Sequence, residues 1–147
     1  MSRIVLVTGG GNGLGKAVAA RFLADGDTVI ITGRNAGRLA ETAAEIGAVP
    51  VTADATDPRQ VTELADGLDA GLDVLVNMAG GNTDFTRPAR ERADPARADL
   101  EQVAAAWRAN LDANLLSAVL TTTAVLGRFR AGSSILNVSS IDRKSVV

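Results

Sequence analysis

Short runs of apolar, mostly β-branched residues alternate along the chain with longer stretches whose apolar residues recur at helical spacing. The runs lie at 4–7, 29–31, 49–52, 74–76 and 135–138. Continuous apolar runs of this length are typical of strands buried on both faces of a sheet. The stretches between them follow the pattern of amphipathic helices. This alternation predicts a doubly wound α/β fold, in which helices cover both faces of a parallel sheet.

Local signals indicate where several of the predicted helices begin and end. Asn35 is suited to cap a helix that ends at Gly47, and Asp57, which is followed by proline, begins the next helix. A longer helical pattern covers 99–129. The polar, Arg-rich segment 81–98 is interpreted as a surface loop.

Composition excludes several classes of function. The chain has 147 residues and a net charge of −2, and it contains neither Cys nor His. It therefore has no disulfides, no Cys/His metal site and no His-containing triad, and we expect no bound metal. The charge argues against nucleic-acid and membrane-surface binding. The length fits one domain over 1–147, and the lack of a signal or membrane-spanning segment predicts a cytoplasmic location.

A glycine-rich turn, Thr8-Gly9-Gly10-Gly11-Asn12-Gly13-Leu14-Gly15, joins the first predicted strand to the first helix. A turn without side chains lets a pyrophosphate approach the backbone, and the helix amino terminus supplies N–H groups. No start position in the turn satisfies G-x-G-x-x-G. The P-loop pattern fits at Gly10, Gly15 and Lys16, but Ala17 stands where Mg²⁺ needs a hydroxyl ligand. The pattern T-G-x-x-x-G-x-G is met in full.

The last pattern resembles the short-chain dehydrogenase/reductase family, and further segments follow in that family's order. They are Arg34 after the second strand, Asp54 after the third, Asn77-Met78-Ala79-Gly80 after the fourth, Asn110 on the long helix, and Ser140 in Ile135-Leu136-Asn137-Val138-Ser139-Ser140. This resemblance covers essentially the whole chain. It implies a Rossmann-like sheet, incomplete at about five strands in the order 3-2-1-4-5. It also implies hydride transfer between a nicotinamide cofactor and a carbonyl or alcohol substrate.

The resemblance assigns cofactor binding to residues that follow the first four strands. These are Thr8, Gly9, Asn12, Gly13, Leu14, Gly15, Arg34, Asp54, Ala55, Asn77, Ala79 and Gly80. Asp54 is expected to accept a hydrogen bond from the adenine amine beside the Ala55 backbone, with a plain Asx turn as the alternative. Asn77 is expected to hold neighbouring strands through its side chain, although Met78 departs from the family's second Asn.

The end of the second strand bears on the choice of cofactor. A carboxylate there binds the ribose 2′-OH of NAD, but this chain has Gly33, and no acidic residue occurs between Val29 and Arg38. Arg34 can pair with the 2′-phosphate of NADP. We therefore expect NADP(H) in preference to NAD(H). The alternative is that Arg34 is a solvated loop charge.

Two catalytic residues are implied by the resemblance, Ser140 and Asn110. Ser140 is expected to bind the substrate carbonyl, and Asn110 to hold a water of a proton relay, with a structural hydrogen bond as the alternative for Asn110. The family's general acid is a Tyr in Y-x-x-x-K, and this chain contains no Tyr. We interpret the chain as the carboxyl-terminally truncated, cofactor-binding part of a longer reductase. We expect weak nucleotide binding and no turnover.

Two other functions stay open on the sequence alone. One is a non-catalytic dinucleotide-binding or scaffold protein on the same fold, and the other is a P-loop nucleotide-binding protein. The expected partners are a small carbonyl or alcohol substrate and further copies of the chain. Members of the family that the chain resembles commonly form dimers or tetramers through long helices, and the long helix 99–129 is expected to do so here.

Overall fold

A parallel five-stranded sheet forms the centre of the chain in a computed structural model that describes residues 2–68, 71–81 and 99–139. The strands are β1 (Ile4–Thr8), β2 (Thr28–Gly33), β3 (Val49–Thr52), β4 (Leu72–Asn77) and β5 (Phe129–Asn137). Their order is β3-β2-β1-β4-β5, and every neighbouring pair is parallel. The predicted Rossmann-like order is confirmed. The order reverses between β1 and β4, and α/β sheets bind ligands at the carboxyl ends of the strands at such a point.

Helices connect the strands, and the predicted caps are present. The helices are α1 (Gly13–Ala24), α2 (Ala36–Ile46), α3 (Pro58–Asp66), α4 (Leu100–Leu111) and α5 (Ser117–Val125). One turn of π-helix (Asp112–Leu116), here called the π-turn, follows α4, and a 3₁₀ turn (Leu126–Arg128) follows α5. Asn35 Oδ1 accepts a hydrogen bond from the N–H of Arg38 at 2.9 Å, and Asp57 Oδ1 accepts one from Arg59 at 2.9 Å. Gly47 ends α2 in the left-handed conformation, at φ +82°. These caps confirm that local sequence signals define the ends of α2 and the start of α3.

The long helix predicted over 99–129 is interrupted and ends earlier than expected. A π-turn separates α4 from α5, and α5 ends at Val125. The helical apolar spacing continues to Leu126, which is why the sequence pattern did not detect these changes. Phe129 is therefore not helical and begins β5, six residues before the predicted strand. The start of β5 pairs irregularly with β4, since the register passes from Leu72↔Phe129 to Val74↔Ser134.

Two apolar layers lie on opposite faces of the sheet. Successive side chains of a strand point to opposite faces, so Val5 and Val7 of β1 pack with α1 and α2, whereas Leu6 packs with α3 and α5. These side chains are fully buried. The resulting packing holds the carboxyl ends of β1, β2 and β4, with the loops that follow them, at one edge of the sheet.

One face of the α4–α5 segment and the edge strand β5 expose apolar side chains. The exposed fractions are 64% for Trp107 and 57% for Leu115, and Ile135 and Leu136 of β5 are also more than one-third exposed. From the sequence, the long helix over 99–129 is expected to join copies of the chain. Within the described chain this face is not core.

Candidate functional site

The glycine-rich turn is folded so that Gly9 lies against the loop after β4 and Gly15 lies against the backbone of the turn itself. Gly9 has φ +68°, and a Cβ at this position would lie 3.0 Å from the backbone N of Ala79. A Cβ at Gly15 would lie only 2.2 Å from the carbonyl oxygen of Gly9. By contrast, Gly13 has φ +50°, and no atom of the described residues lies within 4 Å of its Cβ position. The turn is therefore tight on its inner side and open in front of α1.

No side chain in the described part of the chain caps the amino terminus of α1. Asn12, the N-cap residue, is extended (φ −164°), and its side chain makes no capping hydrogen bond. The first N–H groups of a helix have no partner within the helix, and they carry the positive end of the helix dipole. The amides of Gly13, Leu14 and Gly15 begin this helix, and Leu14 is 73% exposed. This end of α1 can receive an anionic group such as a diphosphate.

Thr8 connects the glycine-rich turn to the loop that follows β4. Its buried Oγ1 accepts hydrogen bonds from the N–H groups of Met78 at 3.0 Å and Ala79 at 2.9 Å. On the other side of the turn, the N–H of Gly10 donates to the carbonyl of Thr32 at 3.1 Å. The turn is thus fixed to both neighbours of β1.

Asn77, at the end of β4, joins three elements through its side chain. Its Nδ2 donates to Asn137 Oδ1 of β5 at 2.8 Å and to Thr122 Oγ1 of α5 at 3.0 Å. The expected bond between strands is therefore present. Asn77 Oδ1 and Thr32 Oγ1 are buried and have no partner among the described residues.

The π-turn brings Asn114, which the sequence analysis missed, to the loop after β4. Asn114 Oδ1 accepts from the N–H of Gly81 at 2.9 Å, and its Nδ2 donates to the carbonyls of Gly81 at 3.0 Å and Asn110 at 2.9 Å. A Cβ at Gly80 would lie 2.5 Å from Asn114 Oδ1. Asn110 itself lies one turn earlier and is half-buried. Asn114 follows Asn110 by four residues, so the two residues lie on the same face of a helix. This spacing is the sequence signal that could have identified Asn114.

Asp54 lies in the turn between β3 and α3. Its Oδ1 accepts hydrogen bonds from the N–H of Thr56 at 2.9 Å and from Thr56 Oγ1 at 2.8 Å, as in an Asx turn. Among the described residues, none donates to Asp54 Oδ2, and the N–H of Ala55 has no acceptor. The turn therefore contains one carboxylate oxygen and one backbone N–H, from consecutive residues, that are unpaired within the described chain.

Two cations near the turn have different surroundings. Arg34 is exposed after β2, and its guanidinium makes no hydrogen bond or ion pair within the described part of the chain. Lys16 Nζ forms an ion pair with Glu45 Oε2 at 2.6 Å. A P-loop protein directs this lysine to the phosphates, so the ion pair weighs against the P-loop alternative.

Some expectations fall outside what the structure describes. Ser140 and almost all of the segment interpreted as a surface loop, 82–98, lie outside the described residues.

Within ranges 2–68, 71–81 and 99–139, no group of three potential metal-ligating side chains occurs. No helix in these same ranges is long and apolar enough to cross a membrane.

Comparisons with known proteins agree with this fold. Residues 3–145 match the family model of the short chain dehydrogenases. A protein of Mycobacterium tuberculosis (strain ATCC 25618 / H37Rv) whose name describes an oxidoreductase is 37% identical over 134 residues, covering 91% of this chain and 57% of that protein. A hexahydroindene-carboxyl-CoA reductase of the same organism is 36% identical over 152 residues, covering 94% and 53%. A short chain dehydrogenase of Burkholderia cenocepacia J2315, solved with NADP, is 31% identical with a TM-score of 0.73, covering 90% and 53%.

The fold, the family match and these relatives place the chain in a class of Rossmann-like α/β proteins. The chain belongs to the short-chain dehydrogenase/reductase family. It spans about half the length of the curated relatives that it matches.

Proposed function

We propose that these residues form the cofactor-binding part of an NADP(H)-dependent short-chain oxidoreductase that acts on a small carbonyl or alcohol substrate. The observation that carries the proposal is the uncapped amino terminus of α1 behind an open glycine turn, at the switch point of the sheet. When bound, the cofactor supplies or accepts the hydride. The protein's part is to bind and orient it.

The glycine turn fits a diphosphate. Gly13 leaves open space before the helix, while Gly9 and Gly15 allow the backbone of the turn to pack without side chains. We expect the amides of Asn12, Gly13 and Leu14 to donate to phosphate oxygens, and the helix dipole favours the negative charge. Thr8 keeps the turn in register with the loop containing Ala79 and Gly80, which completes the far side of the site.

The Asp54 turn fits the adenine ring. Adenine presents an amine donor next to a ring-nitrogen acceptor, and the turn presents the complementary pair, Asp54 Oδ2 and the N–H of Ala55. The Asx-turn bonds use the other carboxylate oxygen, Oδ1. The two interpretations of Asp54 are therefore compatible, because the Asx turn orients the oxygen that faces the ligand.

Arg34 supports a preference for NADP(H) over NAD(H). It is exposed at the end of β2, where the adenosine ribose is bound in this type of fold, and its guanidinium is available for a bidentate pair with a 2′-phosphate. The related Burkholderia cenocepacia dehydrogenase was solved in complex with NADP.

For the reacting end we propose Ser140 as the group that orients the substrate carbonyl. We also propose that Asn114 and Asn110 both contribute their side chains to this end of the site. Asn114 carries this argument because it contacts Gly81 through both ends of its amide and supports the loop beside the cofactor. The chain contains no Tyr to serve as general acid. We therefore propose that these 147 residues bind cofactor without turning over substrate.

The exposed face of α4 and α5 is proposed to join further copies of the chain into a dimer or tetramer. Trp107, Leu111, Leu115 and Val119 are all about half exposed or more, and burial of such side chains drives association. This proposal is independent of the cofactor proposal.

The function is tested by titrating the purified chain with NADPH and NADH and then adding carbonyl substrates. We expect saturable NADPH binding that is tighter than NADH binding, and no NADPH oxidation. Turnover would contradict the proposed inactivity. Binding of Mg²⁺-ATP without NADPH binding would instead support the P-loop alternative. A chain that is stable, binds cofactor and is not part of a longer reductase would support the scaffold alternative.

A further inference from the structure

Gln60, in the first turn of α3, connects the Asp54 turn to the amino terminus of that helix. Its Oε1 accepts a hydrogen bond from the backbone N–H of Asp54 at 2.9 Å, and its Nε2 donates to Asp57 Oδ2 at 3.0 Å. Both ends of one side-chain amide are therefore used. The bond to Asp54 crosses from the helix to the segment that we assign to adenine, and the bond to Asp57 holds the side chain at the helix end.

This arrangement differs from ordinary helix capping. Gln60 is the third residue after the N-cap Asp57, and in a capping box its side chain would accept from the N–H of Asp57. Here that N–H donates to the carbonyl of Asp54 at 3.0 Å, and Gln60 reaches past it to the N–H of Asp54. The side chain thus supports the turn, in addition to the helix end.

The support is anchored in the core. Val61, Leu64 and Ala65 of α3 are buried against the sheet, so the helix that carries Gln60 is fixed. Asp57 is held in turn by the N–H of Arg59 at 2.9 Å. The hydrogen bond from Gln60 is the largest cause that lowers the pKa of Asp57, so this carboxyl stays ionised and remains a strong acceptor.

The bonds around Asp54 determine which of its atoms can meet a ligand. Gln60 holds its N–H, and Thr56 holds its Oδ1 through two donors. A side chain fixed at its backbone and at one carboxylate oxygen has little rotational freedom left, and Oδ2 keeps a constant direction. Recognition by a single oxygen depends on such preorganisation, because the side chain then loses little further conformational entropy when the ligand binds.

We propose that Gln60 is a positioning residue for adenine recognition, which sets the direction of Asp54 Oδ2 and of the Ala55 N–H. The inference rests on the proposed function and adds a residue that touches neither cofactor nor substrate. Its consequence is selectivity for adenine over a purine with the opposite donor and acceptor pattern. Hypoxanthine is such a purine, because a carbonyl replaces the amine and the neighbouring ring nitrogen carries a proton.

The test compares NADPH with its hypoxanthine analogue, deamino-NADPH, by fluorescence titration of the full chain. The variants are Gln60→Ala, Gln60→Met and Thr62→Ala. Gln60→Met preserves the shape of the side chain and gives a second measurement if Gln60→Ala does not fold. Thr62 is the matched control, because it lies in the same helix and its Oγ1 bonds only to the carbonyl of Pro58 among the described residues, at 2.8 Å.

We expect the wild-type chain to bind NADPH about tenfold more tightly than deamino-NADPH, from one hydrogen bond to a charged group. Both Gln60 variants should reduce this ratio to about threefold or less, mainly by weakening NADPH, and Thr62→Ala should retain it. An unchanged ratio in the Gln60 variants would overturn the inference alone. So would equal loss in Thr62→Ala, or equal binding of both dinucleotides by the wild type. Failure of the wild type to bind either one would overturn the proposed function, and this inference with it.

Discussion

Replacing Gly15 with alanine tests whether close packing inside the glycine turn shapes the phosphate site. The added Cβ would lie 2.2 Å from the carbonyl oxygen of Gly9 and 2.8 Å from its carbonyl carbon. Real Cβ atoms stay at least 3.0 Å from such neighbours, so the turn must open by 0.8 Å or more. Both contacts are backbone atoms, and no side-chain rotation can relieve them.

The magnitudes follow from this displacement. Overpacking costs about 1–3 kcal/mol, and the gain in helix propensity from glycine to alanine returns about 0.5–1 kcal/mol. The net loss corresponds to a melting temperature lower by roughly 2–8 °C for a chain of this size. Loss of one or two amide bonds to a charged phosphate weakens NADPH binding by about 10–100-fold.

The assay is thermal unfolding combined with a fluorescence titration of NADPH, with Gly127→Ala as control. A Cβ at Gly127 would meet no atom of ranges 2–68, 71–81 and 99–139 within 4 Å, and the residue does not need a positive φ. The control should keep the wild-type affinity and melting temperature. If Gly15→Ala bound NADPH as tightly as the wild type, the reasoning about the turn would be wrong.

Three further predictions concern charge and exposed surface. Arg34→Gln should weaken NADPH binding by about tenfold and leave NADH binding unchanged, as measured by parallel titrations. Hydrogen bonds from Arg3 lower the pKa of Asp27 below its ordinary 3.8, so Asp27 stabilises the fold above that pH and loses this contribution as the pH falls through the lowered value. Urea unfolding should therefore show a stability advantage over Asp27→Asn that is constant near neutrality and shrinks below about pH 4. Leu115→Glu should shift sedimentation toward the monomer, and unchanged association would contradict the proposed helix interface.

Local and periodic signals predicted most of the fold. The caps at Asn35 and Asp57 and the apolar runs of the strands depend on neighbouring residues, so the sequence alone reveals them. The order of the strands came from the family resemblance rather than from periodicity. The glycine turn was identified for the same local reason, because its pattern is contiguous.

Features that depend on contacts distant in sequence could not be predicted in the same way. The π-turn at Asp112–Leu116 has no residue signature, so the pairing of Asn114 with Gly81 was missed. The bridging role of Gln60 depends on how the turn before α3 is folded. The exposure of Trp107 depends on what packs against α4, which an apolar pattern does not specify.

The central claim is that the turn between β1 and α1 seats the diphosphate of a nicotinamide dinucleotide. Its most direct test is to follow backbone amide resonances of the ¹⁵N-labelled chain by NMR while NADPH is added. We predict the largest shifts at Gly9, Asn12, Gly13, Leu14 and Gly15, with smaller ones at the Asp54 turn. Saturation of the chain with NADPH while those five amides stay unperturbed would contradict the claim.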